Sequence, residues 1–114
     1  MNIDRYQELA DKTSLGKDQH NLDRLLCATL GLVGEAGELA NKVKKWTYHG
    51  HPSSIMGDRI REEIGDCLWY LAELCSALQW PMGEIAEENL SKLAGRYPDG
   101  FTVEDSVNRE PGRP

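Results

Sequence analysis

Two pairs of carboxylates stand three residues apart in runs with helical periodicity, Glu35 with Glu38 and Glu63 with Asp66. Residues at i and i+3 are neighbours on one helix face, so each pair projects side by side. Carboxylates brought that close repel and retain protons unless a cation compensates them. A hard dication is the economical partner. Mg2+ or Mn2+ takes oxygen ligands, keeps several waters, and binds through few carboxylates together with substrate phosphates. One such pair is ordinary on a solvated face; two pairs on consecutive helices, each beside small or apolar neighbours, point to a metal site. Glu62 competes with Glu63 as the partner of Asp66, at i, i+4. A di-iron carboxylate bundle would want Glu-x-x-His on its helices, and His20, His49 and His51 all fall in loops or at a helix start.

The elements that must position these groups follow from periodicity and punctuation. Asn21 caps a long helical pattern running to about Trp46, and a second runs from Ser54 or Asp58 to about Leu78. The first places Leu22, Leu25, Leu26, Thr29, Val33, Ala36, Ala40 and Val43 on one broad apolar side, the expected core face. The other side carries Cys27, Ala28, Gly31, Gly34, Glu35 and Glu38. Glycine inside a helix costs about 1 kcal/mol against alanine, so Gly31 and Gly34 predict close approach of another helix or a ligand. The second helix has Ile60, Ile64, Cys67, Leu71, Leu74 and Leu78 as its apolar stripe, bordered by Glu63, Asp66 and Tyr70. A short helix over 2–12 precedes them and a last one over 82–96 follows the Trp80-Pro81 stop. Connections fall at 13–20 and 47–54, and Pro98-Asp99-Gly100 makes a turn. No alternating strand pattern of useful length appears. The fold class is all-α, a bundle of about four helices.

At 114 residues the chain is one domain, since domains usually run to about 100–150 residues. Residues 1–101 form it, and the tail 102–114 is expected to be extended or mobile. Nineteen acidic against thirteen basic residues give a charge of −6, which argues against a nucleic-acid partner or an anionic membrane surface. No run reaches the roughly 18 apolar residues of a membrane span, and the N-terminus lacks a signal-peptide pattern. A cytoplasmic protein is the expectation. Cys27, Cys67 and Cys75 include no Cys-x-x-Cys pair and read as small buried apolar residues. A core this small favours self-association, as a homodimer or homotetramer.

The run Leu32-Val33-Gly34-Glu35-Ala36-Gly37-Glu38-Leu39, followed by Glu62-Glu63-Ile64-Gly65-Asp66-Cys67-Leu68-Trp69-Tyr70-Leu71, resembles the Glu-x-x-Glu and Glu-x-x-Asp halves of MazG-like all-α nucleoside triphosphate pyrophosphohydrolases. The similarity continues through Asn89-Leu90-Ser91-Lys92-Leu93 and Arg96-Tyr97-Pro98-Asp99-Gly100-Phe101, covering roughly residues 22–101. The resemblance implies hydrolysis of a nucleoside triphosphate between its α and β phosphates with Mg2+. It makes Glu35, Glu38, Glu63 and Asp66 the metal ligands and catalytic set, and Asn89, Lys92 and Arg96 substrate contacts. Trp46 and Tyr70 are candidates for stacking on a base. Some members carry a second Glu where this chain has Gly34, so the resemblance assigns no separate general base here. The biological expectation is house-cleaning of the nucleotide pool. The alternatives are a related phosphoribosyl-nucleotide pyrophosphohydrolase and a non-catalytic helical module with a structural metal site.

Overall fold

The computed structural model describes residues 1–16 and 20–109, and within them there is no β-strand. The helices are α1 (Ile3–Asp11), α2 (Asn21–Tyr48), α3 (Ser53–Leu78), α4 (Met82–Arg96) and α5 (Val103–Val107). The all-α expectation holds. The starts of the long helices differ from it in detail. Asn21 is the first residue of α2 and His20 is its cap, Nδ1 accepting from the Leu22 amide at 3.2 Å. At α3 neither Ser54 nor Asp58 caps; the helix starts behind Pro52, whose carbonyl accepts from the Ile55 and Met56 amides. Trp80-Pro81 ends α3 as expected, with Gln79 left-handed at φ 60° and the Trp80 amide bonded to the Cys75 carbonyl. Within the tail, expected to be extended or mobile, Thr102 Oγ1 accepts from the Asp105 amide and opens α5 over 103–107.

Four residues, 49–52, join α2 to α3 as an antiparallel hairpin. Arg24 meets Glu73, Gly31 meets Tyr70 and Lys42 meets Glu63, so residue numbers fall on one helix as they rise on the other. α1 lies across α3, and the small core is there: Ala10, Ala72 and Met82, with Ile3, Tyr6, Leu68, Trp69 and Cys75 packed round them. The first amides of α4, which have no partner inside their own helix, are taken by α1 side chains. Gln7 Oε1 accepts from Met82 N and Asp4 Oδ1 from Gly83 N, each at 2.8 Å.

The expected core face of α2 is not core within the chain. Leu22, Leu26 and Val33 are more than half exposed, and Thr29, Ala36, Ala40 and Val43 are exposed too. What packs on α3 is the neighbouring stripe of Arg24, Ala28, Gly31 and Glu35. Small residues let the two backbones approach, and the polar groups pair across the seam, so this stripe outcompetes the larger apolar one as the intrachain contact. Ile64, Leu71 and Leu78 of α3 are exposed likewise. On both helices the apolar stripe follows the contacting stripe by one residue; with right-handed helices running antiparallel, that offset turns both stripes to the same side of the hairpin. The chain therefore presents one broad apolar face. Its radius of gyration is 17.3 Å, against about 13 Å for a compact domain of this length.

Candidate metal centre

Near the middle of the hairpin, Glu35 from α2 and Glu63 and Asp66 from α3 each offer a carboxylate oxygen, all within 4.8 Å of one another. Helical spacing puts Glu63 and Asp66 on the α2-facing border of α3, and Glu35 continues the Arg24, Ala28, Gly31 stripe of α2. Of the two candidates, Glu63 turns inward and is only 9% exposed, whereas Glu62 faces solvent. Glu38 stands outside the group of three, its side chain 60% exposed and its Oε2 3.7 Å from Lys42 Nζ. Lys42 reaches across the seam and donates to Glu63 Oε1 at 2.8 Å.

The electrostatics are those of a crowded anionic site. Lys42 in the first place, then Glu35, holds the Glu63 carboxyl below its ordinary 4.5. Glu35 is pushed the other way, first because its proton bonds Glu63, then by burial and by the nearby charges of Asp66, Glu63 and Glu38. With all carboxylates ionised, Glu63 Oε2 is buried without a hydrogen-bond donor among the described residues. A buried acceptor left in that state is costly. A proton on Glu35 or a cation between the carboxylates answers it, and an all-oxygen set suits Mg2+ or Mn2+.

Tyr70, one turn beyond Asp66, borders this group. Its ring fills the space that a side chain at Gly31 would occupy and meets Trp69 edge-on, with centroids 5.0 Å apart. Gly31 thus has the close approach its position predicts; Gly34 does not, since among the described residues nothing lies within 4 Å of where its side chain would start. Beyond Tyr70 the groove opens into a cavity of about 300 Å3 lined by Thr13, Cys27, Trp69 and Glu73 among others. Cys27 is exposed rather than buried, because it lies on that groove and not on the core side.

The other expected site residues do not join the carboxylates in the chain. Trp46 lies about 16 Å further along α2 than Glu35, at 1.5 Å per residue, and its Nε1 donates to Ser53 Oγ at 2.9 Å, bracing the hairpin turn. Lys92 borders a shallow depression with Glu84, Glu87 and Ser91 of its own helix. Among the described residues no hydrogen bond or ion pair links Asn89, Lys92 or Arg96 to the carboxylates, and Arg96 Nε is buried without a partner.

Sequence reasoning missed a second polar centre two turns from the first. Arg24 donates through Nε and Nη2 to both oxygens of Glu73 at 3.3 and 2.8 Å, and through Nη2 to Asp11 at 2.6 Å. Ser14 Oγ donates to the same Glu73 at 2.8 Å. The signal was present: Arg24, Ala28, Gly31 and Glu35 share one helical stripe, as do Glu63, Asp66, Tyr70 and Glu73.

The family model described as the MazG nucleotide pyrophosphohydrolase domain matches residues 25–101. The Gene 37 protein of Mycobacterium phage L5 is 36% identical over 114 residues, spanning 96% of this chain and 100% of that protein. No solved structure matches.

Proposed function

Because the chain belongs to the MazG nucleotide pyrophosphohydrolase domain family, we propose that it hydrolyses ribo- or deoxyribonucleoside triphosphates between the α and β phosphates. Water is consumed, and the products are the monophosphate and pyrophosphate. The observation that carries the reading is the buried Glu63 carboxylate, whose Oε2 has no donor among the described residues while Glu35 and Asp66 crowd against it. These three residues hold Mg2+, or Mn2+ in its place, and Glu38 completes the set from the solvent side. When bound, the dication supplies neutralisation of phosphate charge and activation of water. The chain's own contribution is rigidity: Glu63 is fixed by burial, while Glu35 and Asp66 are carried on two long helices packed against each other. Tyr70, held flat against Gly31, gives a nucleobase an aromatic edge of the adjoining groove. Removal of non-standard or surplus nucleotides is the corresponding role.

The working unit is a homodimer, or a pair of such dimers. Support comes from the apolar stripes of α2 and α3, which share one side and are exposed in the single chain, and from the open 17.3 Å radius of gyration. Asn89, Lys92 and Arg96 of α4 are the substrate contacts in this reading, supported by the family motif that carries them.

A panel of nucleoside triphosphates with Mg2+ tests the reading. Pyrophosphate release is expected with at least one of them, and Glu63→Gln and Asp66→Asn should each abolish it. Turnover surviving both substitutions would remove these residues from the site, and no release from any nucleotide would remove the activity.

A further inference from the structure

We propose that Lys42 is the resident counter-ion of the carboxylate centre and a residue that changes partner, leaving Glu63 when a dication enters and pairing with the polyphosphate of the substrate. The inference rests on the metal and substrate reading above and assigns a role to a residue outside the four carboxylates.

Lys42 Nζ lies 2.8 Å from Glu63 Oε1 and 3.7 Å from Glu38 Oε2, with its side chain 22% exposed. It therefore occupies the space between the inner carboxylate and the solvent-side one. With all four carboxylates ionised, Glu35, Glu38, Glu63 and Asp66 against Lys42 make a centre of net charge −3. Removing the ammonium would leave Glu63 buried with neither oxygen compensated, a costly state. Lys42 thus preserves the site when no metal is present. A dication held by Glu63 Oε2 and an ammonium on Oε1 of the same carboxylate repel each other, and the dication has the greater charge.

The displaced ammonium does not have to go far. Lysine carries its charge on a flexible four-carbon stem with three rotatable donors, suited to following a moving anion rather than holding a fixed fork. A triphosphate brought to the metal places several negative oxygens over the cluster, and Lys42 is already at its rim. The opposite reading, a lysine that merely braces α2 against α3, predicts no change in ligand binding beyond that caused by lost stability.

The two readings separate by the sign of two measurements on the full-length wild type, Lys42→Met and Lys42→Arg. Mn2+ alone is titrated and the free ion followed by electron paramagnetic resonance; inorganic triphosphate is then titrated calorimetrically with Mg2+ present. Lys42→Met should bind Mn2+ several-fold more tightly than wild type and triphosphate roughly tenfold more weakly, a loss of about 1.4 kcal/mol. Lys42→Arg, which keeps the charge, should lie closer to wild type than Lys42→Met does in both. Equal or weaker Mn2+ binding by Lys42→Met, or unchanged triphosphate binding, would overturn the inference. If Lys42→Met fails to fold, Lys42→Gln is measured against the same two expectations. A wild-type protein that binds no Mn2+ would instead overturn the metal reading itself.

Discussion

The ring of Tyr70 occupies the volume that a side chain at Gly31 would need, so the α2–α3 spacing beside the carboxylates is set by the absence of one methyl group. Gly31→Ala should therefore destabilise the protein although alanine is the better helix former by about 1 kcal/mol. Overpacking of this kind typically costs about 1–3 kcal/mol, and the displaced ring would disturb Asp66 one turn away. Gly34→Ala is the control, since among the described residues nothing lies within 4 Å of the added methyl. Thermal melts of the two variants should shift in opposite directions, and a stabilised Gly31→Ala would show that the helices are free to separate.

This pair also marks how far the sequence could be read. Helix existence, the all-α class and the pairing of carboxylates were legible because periodicity and punctuation are local. The carboxylate set was legible in part: Glu35, Glu63 and Asp66 meet, and the choice between Glu62 and Glu63 needed the helix rotation. The identity of the contacting face was not legible. Amphipathicity names the side of α2 that avoids water, Leu22 to Val43, but does not say whether the same chain covers it. Here the seam is made by Arg24, Ala28, Gly31 and Glu35 instead, since small residues and paired charges allow closer approach than leucines do. The groups on α4 were placed by motif alone, and motif carries no distance.

The buried Arg24–Glu73 pair gives a second prediction. Their side chains are 10% and 8% exposed, and Ser14 and Asp11 satisfy remaining valences. Arg24→Met leaves Glu73 buried without its counter-charge, and such losses run to about 3–5 kcal/mol. Replacing both, as Arg24→Met with Glu73→Leu, removes the unpaired charge and should recover a substantial part of the loss. Urea titrations of the two singles and the double form the cycle; strictly additive losses would mean that the pair contributes nothing as a pair.

The apolar face predicts the oligomeric state. Val33 and Ile64 are 66% and 53% exposed in the single chain, and burying side chains of this size is worth about 1.5–3 kcal/mol each. Light scattering should find the wild type as a dimer or larger, with Val33→Glu or Ile64→Glu shifting it towards monomer and lowering its melting temperature. A wild type that is monomeric at micromolar concentration would exclude self-association through this face.

Metal affinity should depend on pH through Glu35. Its carboxyl is held above the ordinary 4.5 by its bond to Glu63, so the native protein without metal retains this proton at pH values where an isolated glutamate has lost it. The proton must leave before the oxygen can bind a cation. Glu63, held below 4.5 by Lys42, shifts oppositely and stays ionised over the same interval. The signs also separate in stability without metal. The contribution of Glu35 is complete below 4.5 and is lost as pH rises through its raised value; that of Glu63 is present above 4.5 and is lost as pH falls through its lowered value. Mg2+ binding should thus weaken as pH is lowered from about 7.5 towards the raised Glu35 value, approaching a tenfold loss per pH unit below it, with proton uptake by the buffer. Calorimetry in two buffers of different ionisation enthalpy reads both quantities. Glu35→Gln should bind more weakly at every pH and lose that part of the slope. A wild-type affinity constant across the interval would mean that Glu35 does not exchange its proton for the metal.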